Sequence, residues 1–275
     1  MPIELGILSA HVPSICHREN VPVFQQPIVD AMDEVGKQIT EMKPDLVVIV
    51  STHWISPFNH YVDVAQKHEG ILTAFEAPDI ISDVEYKYPG DEEMGKAMVE
   101  AGKRAGIPVM AVDDPTYVWD YGTVVPLRYL VPNEDIPVIS LPVTMAASLE
   151  ETYELGKVYK QVFDKSDKRI VFIASGALAH NLVRGRHNMP TISEQALDKQ
   201  FIDYLLQNDL EAVKEMLPQY AKVAGVEGGG RHLAMLVGLL EGDISYTPSY
   251  LGYAQSSGSG NAIMTFEALK TKETA

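Results

Sequence analysis

The chain has a single cysteine, Cys16, which excludes an internal disulfide framework of the kind that holds small secreted domains together. Cys16 itself is expected to be buried and inert. Basic residues are scarce: 22 Lys and Arg stand against 38 Asp and Glu, for a formal net charge of -16. A surface of that sign repels polyphosphates, so nucleic acid is not an expected partner. No apolar run approaches the roughly 20 residues that cross a bilayer, so no membrane partner is expected either. A basic-then-apolar leader is lacking, and the expected location is cytoplasmic. No block of like charge reads as a disordered tail. No Pro/Gly/Ser-rich linker divides the sequence. Residues 256–260 (SSGSG) come nearest, and they read as a turn.

What is present suits a well-filled interior. The 275 residues are 46% hydrophobic and 22% charged, enough for one sizeable core. Short apolar runs at 3–9 (IELGILS), 46–50 (LVVIV), 107–112, 136–141 (IPVISL) and 170–174 (IVFIA) have the length and continuity of buried strands. Between and after them come helical rhythms at 26–42, 92–105, 149–163, 193–208, 210–216 and 232–241. This alternation predicts an α/β fold, a single domain over 1–275 with a mixed, mostly parallel central sheet flanked by helices.

The histidines are placed informatively. The first strand runs into Ser9-Ala10-His11, the second into Ser51-Thr52-His53-Trp54, and the run at 170–174 into Ser175-Gly176-Ala177-Leu178-Ala179-His180. Ligands of open α/β sheets bind beyond the carboxyl ends of the strands, so three imidazoles are delivered toward one edge. His17, His60, His68, His187 and His232 lack this placement and read mostly as surface or locally hydrogen-bonded groups. Two histidines and one carboxylate are the facial ligand set of non-haem iron(II), which leaves positions open for substrate and oxygen. Glu227, in Gly225-Val226-Glu227-Gly228-Gly229-Gly230 just ahead of a helix, is the best carboxylate candidate. A glycine-rich turn with a solvated glutamate is the plain alternative. A phosphate loop does not fit, because the lysine and hydroxyl residue of that motif are lacking.

These residues together resemble the class III extradiol dioxygenases, the family of the protocatechuate 4,5-dioxygenase catalytic subunit. Within that family the likeness is greatest to the branch that cleaves 3,4-dihydroxyphenylacetate. The matching stretches span nearly the whole chain. They include His11-Val12-Pro13-Ser14, Thr52-His53-Trp54, Tyr121-Gly122-Thr123, Ser175 through His180, Met216 through Ala221, Glu227-Gly228 and residues 256–260. The resemblance implies an enzyme that opens a catechol-type ring with O2, with Fe(II) held by His11, His53 and Glu227 and with His180 as acid–base histidine. For the nearest branch it implies conversion of 3,4-dihydroxyphenylacetate to a muconic semialdehyde. Many members carry Asp-His-Gly where this chain has Asp120-Tyr121-Gly122. A phenol there can donate a hydrogen bond but is a poor base near neutral pH. Assembly into a homo-oligomer is also implied.

The substrate carboxylate calls for a cationic or donor-rich wall, for which Arg128, Arg184, Arg186, His187 and Arg231 are candidates. Trp54 and Trp119 are candidates to flank the ring, with plain packing an equal reading of both, and residues 68–88 are candidates to cover the pocket. Three other readings stand beside this one: a 2-aminophenol or catechol dioxygenase with the same site, a zinc hydrolase on the same triad, and a non-catalytic binding protein on the same scaffold.

Overall fold

The structure is a computed structural model and describes residues 3–242 and 244–269. In chain order its elements are β1 (Ile3–Ser9), α1 (Gln26–Met42), β2 (Leu46–Ser56), β3 (His60–Asp63), β4 (Lys67–Leu72), β5 (Val84–Pro89), α2 (Glu92–Arg104), β6 (Val109–Val112), α3 (Tyr121–Leu130), β7 (Val138–Thr144), α4 (Leu149–Phe163), β8 (Ile170–Ser175), α5 (Ile192–Leu206), α6 (Leu210–Val223), α7 (Arg231–Leu240), β9 (Tyr246–Ser256) and β10 (Ser259–Ala268).

Six strands form the central sheet in the order β7-β2-β8-β1-β10-β9. The first four run parallel; β10 is antiparallel to both β1 and β9. The fold class is therefore as expected: α/β, with a mixed, mostly parallel sheet flanked by helices. The parallel strands carry near-continuous apolar runs because both faces are covered, and polar residues gather toward their carboxyl ends. Alternate residues feed two cores. Val47 and Ile49 of β2 join a cluster with Ile28, Met32 and Val124. Leu46, Val48 and Val50 join Tyr159, Leu205, Leu217 and Leu236 on the other side. Each such fully buried aliphatic side chain contributes about 1.5–3 kcal/mol.

Several expected elements take other bounds or partners in the structure. The strand at 107–112 shortens to β6 and pairs with β3 in a separate two-stranded sheet, not in the central one. The strand at 46–50 continues to Ser56 through a register shift between Ser51 and Ile55. The helix expected to end at 216 runs on to Val223 through Pro218. Pro218 is exposed, so the Lys214 carbonyl that loses its usual donor stands near water. Among the described residues no helix is long and apolar enough to cross a membrane.

Candidate metal centre and active-site cavity

Ser9 and Ser175 end β1 and β8, and beside them stands Ser51, the last β2 residue paired with β8. The residues that follow them build the site. His11 lies two residues past Ser9 in an irregular segment. His53 sits within β2, on the stretch where the register with β7 slips. His180 closes the segment after β8, where its backbone N–H donates to Ala224 O (2.9 Å) and it bridges to Ser259. Asp198 steadies that segment from below: its carboxylate accepts from Ala179 N (3.0 Å), Tyr220 Oη (2.6 Å) and Tyr253 Oη (2.6 Å).

Glu227 opens a 3-10 turn whose glycines Gly228, Gly229 and Gly230 have φ of 57°, 64° and 78°. Side-chain-bearing residues rarely accept three successive left-handed positions. The glycine run thus turns the chain sharply between Glu227 and α7 and leaves the carboxylate aimed at the strand ends.

Glu227 Oε1 lies 3.3 Å from His11 Nε2, 3.0 Å from His53 Nε2 and 3.7 Å from His180 Nε2. Its other oxygen accepts from Ala177 N at 2.6 Å. One ligand atom each of His11, His53 and Glu227 falls within 4.8 Å of the others.

The far side of His11 tests whether these groups suit a metal. Ser175 Oγ is 2.5 Å from Gly122 O. A carbonyl only accepts, so the serine proton points there. Ser175 Oγ is also 2.9 Å from His11 Nδ1, and having given its proton away it must accept from Nδ1–H. A neutral His11 therefore carries no proton on Nε2. That lone pair faces the lone pairs of Glu227 Oε1. Two lone pairs this close repel unless a second proton makes the ring an imidazolium or a metal cation lies between them, and two imidazoles with a carboxylate are a donor set that fits a divalent metal.

Charge in the site follows the same logic. Burial alone would push Glu227 up, but the His11 and His53 imidazoles, with His180 behind them, hold it well below the usual carboxylate range. Burial pushes His53 down, while its hydrogen bond and charge interaction with Glu227 outweigh that and leave it raised. His180 is lowered by burial, with Glu227 opposing and the neighbouring imidazoles adding to the fall. It is thus neutral near pH 7 and able to accept a proton. The Tyr121 ring packs on His53 with centroids 3.9 Å apart. Burial and the nearby carboxylates push its phenol up, so it stays protonated and keeps an O–H to donate.

A cavity of about 270 Å³ opens over these groups, and His11, His53, Tyr121, His180 and Glu227 all line it. Residues 68–88 contribute Glu76, Ala77 and Ile80 to its wall, as expected for a covering segment. The tryptophans do not line it. Trp119 is buried between His68 and Tyr86 and donates to Asp63, and Trp54 packs on Tyr117. Of the five candidate cations only Arg186 reaches the cavity. Arg231 is spent on the carbonyls of Met145, Ala147 and Gly228, and Arg128 donates to Cys16 O. Cys16 is buried, and burial pushes its thiol up, as its inert reading requires.

Sequence reasoning gave no role to Ser175, Gly122 or Glu76. Ser175 stood inside a motif already noted, so the signal was there, but its partner His11 is 164 positions away. His232 differs from its expectation too: it is fully buried and not locally hydrogen-bonded.

Residues 5–265 match the family described as the catalytic LigB subunit of aromatic ring-opening dioxygenase, and the chain belongs to that family. It is an extradiol dioxygenase. Its relatives include the 3,4-dihydroxyphenylacetate 2,3-dioxygenase of Escherichia coli, 26% identical over 265 residues that cover 90% of this chain and 96% of the relative. They also include the 2-aminophenol 1,6-dioxygenase beta subunit of a Pseudomonas species, 26% identical over 294 residues, 96% of this chain and 94% of that one. The crystal structure of an uncharacterized protein from Escherichia coli K12 superposes with a TM-score of 0.69 at 18% identity. It covers 96% of this chain and 99% of its own, and it shows the shared fold.

Proposed function

We propose that the chain is an Fe(II)-dependent 3,4-dihydroxyphenylacetate 2,3-dioxygenase in which His11, His53 and Glu227 hold the metal. The observation that carries this reading is the convergence of two imidazole nitrogens on one oxygen of a buried carboxylate, with the His11 lone pair facing that oxygen. Ferrous iron in such a site would lower the pKa of a bound catechol hydroxyl and bring the aromatic together with O2, which reacts slowly with closed-shell rings unaided.

The remaining chemistry belongs to the side chains. His180, neutral and lining the cavity, takes the proton of a substrate hydroxyl and returns it as the ring opens; acid–base help of this kind is worth ~10²–10⁴-fold. The Tyr121 phenol donates a hydrogen bond to an oxygen of the substrate. The ring bond beside the two hydroxyl carbons breaks, both atoms of O2 enter the product, and the outcome is a muconic semialdehyde. Atoms balance without any further oxidant or reductant.

The same reading takes residues 1–275 as one catalytic unit that works in the cytoplasm and assembles with copies of itself. The decisive experiment loads the purified protein anaerobically with Fe(II) or with Zn(II). On admitting oxygen, yellow semialdehyde is then followed across 3,4-dihydroxyphenylacetate, catechol, protocatechuate and 2-aminophenol. Turnover with iron, fastest on the arylacetate, supports the proposal; no oxygen uptake with iron on any of the four ends it. A preference for 2-aminophenol is the second reading, favoured by a relative of that name at the same 26% identity.

A further inference from the structure

We infer that Arg186 selects the substrate by binding a carboxylate on the side chain of the catechol. This rests on the ring-opening reading for the reaction, but it concerns a different group of the substrate.

Arg186 is the one lysine or arginine among the residues that line the cavity. Among the described residues its guanidinium has no carboxylate within salt-bridge distance, unlike Arg18 and Arg169. Arg186 is an exposed residue of the cavity wall; in a chain of net charge -16 its unpaired guanidinium offsets locally a field that otherwise repels an anionic substrate. Arginine also presents a planar fork that matches a carboxylate with two parallel hydrogen bonds.

The segment carrying Arg186 is fastened to the turn between β9 and β10. Val183 N donates to Ser257 O (2.7 Å), Ser257 N to Arg186 O (3.3 Å) and Gly258 N to Asn188 O (2.9 Å). The Gln255 amide reaches His187 O (3.3 Å) and the Asn188 amide reaches Arg184 O (2.6 Å). Gly185, at φ +107°, supplies the bend. Arg186 is therefore presented by a segment tied on both sides, and the same turn brings Ser256 and Ser257 to the cavity wall as neutral donors.

Glu76 supplies the orientation. It also lines the cavity, with Oε1 3.4 Å from His53 Nδ1. A substrate carboxylate is repelled by Glu76 beside His53 and attracted to Arg186, which leaves the two hydroxyls for His53, His180 and Tyr121.

The test compares 3,4-dihydroxyphenylacetate with 4-methylcatechol, which keeps the ring and loses the charge. Both are measured in the wild type, Arg186→Gln and Arg186→Lys, all iron-loaded. Turnover is followed in oxygen and binding by anaerobic calorimetry. Loss of a charge-assisted pair should raise the ratio of KM for the acid to KM for the neutral compound by about 10- to 100-fold in Arg186→Gln. The dissociation constants should move in parallel, and Arg186→Lys should recover part of the effect. An unchanged ratio in Arg186→Gln, in binding and in turnover, overturns the assignment. The two readings fail separately. Arg186-dependent binding without ring opening keeps the anchor and removes the dioxygenase substrate, whereas ring opening indifferent to Arg186 does the reverse.

Discussion

Ser175 Oγ stands 2.9 Å from His11 Nδ1 and 2.5 Å from the carbonyl of Gly122, so a single hydroxyl fixes which nitrogen of His11 carries the proton. The relay also ties the metal candidate His11 to the residue next to Tyr121. Removing the hydroxyl by Ser175→Ala frees the imidazole to place its proton on Nε2, where it blocks a metal. Outer partners of this kind are typically worth 10- to 100-fold in metal affinity. Anaerobic chelator competition should show a loss of that size with far-ultraviolet circular dichroism unchanged. Affinity equal to the wild type would remove the relay from the account of the site.

That relay also marks where the sequence stops being informative. Parallel strands covered on both faces read as near-continuous apolar runs, so β1, β2, β7 and β8 announce themselves, and α1 and α4 have clear amphipathic rhythm. The delivery of His11, His53 and His180 to one edge follows from their placement after those strands. Long-range hydrogen bonds leave no such trace: Ser175 and His11 meet only because β1 and β8 pair in register. Elements with mixed exposure were equally hard to read. The half-buried β9 has no continuous apolar run. The opposite case, α3, contains Pro126 and is buried on nearly every side, so it lacks the polar face that marks an amphipathic helix. The tryptophans stay ambiguous in the sequence because burial and proximity to a motif look alike in one dimension.

Glu227→Gln keeps the size of the side chain and removes the charge around which the imidazoles gather. The variant should fold and fail to take up metal. A ligand that binds only the native state stabilises it by RT ln(1 + [L]/Kd), about 2.7 kcal/mol at a hundred times Kd. Thermal unfolding under anaerobic conditions should therefore rise with added Fe(II) in the wild type and stay level in Glu227→Gln. His53→Ala should behave likewise, because a site with one imidazole gone is incomplete. A metal-dependent rise in Glu227→Gln equal to that of the wild type would show that the carboxylate is no ligand.

His180→Phe separates holding the metal from moving the proton. His180 Nε2 is 3.7 Å from Glu227 Oε1, farther than the nitrogens of His11 or His53. Iron content should therefore match the wild type while semialdehyde formation drops ~10²–10⁴-fold. Tyr121→Phe removes one donor and leaves the ring packed on His53, so its loss should be smaller. Near-normal turnover in His180→Phe would assign the proton transfer elsewhere.

His232 gives the protein a liability in acid. It is fully buried, and neither ring nitrogen makes a hydrogen bond of standard geometry among the described residues. Its ring lies against Gly176, where an added Cβ would come within 2.6 Å of it. Burial pushes the imidazole down to about 4, with Glu227 opposing more weakly; a cation bound at Glu227 would add to the fall. In the unfolded chain the same group titrates near 6.5. Above that pH both states are neutral and the group contributes nothing that depends on pH. As pH drops from about 6.5 to about 4, the unfolded state takes up a proton that the folded state refuses, and stability is lost. A gap of about 2.5 units corresponds to about 3 kcal/mol. Urea unfolding of the wild type should show that decline, and His232→Leu, close in volume and unable to titrate, should decline less steeply over the same window. Parallel curves for the two proteins would mean that His232 finds a proton-accepting partner in the folded state after all.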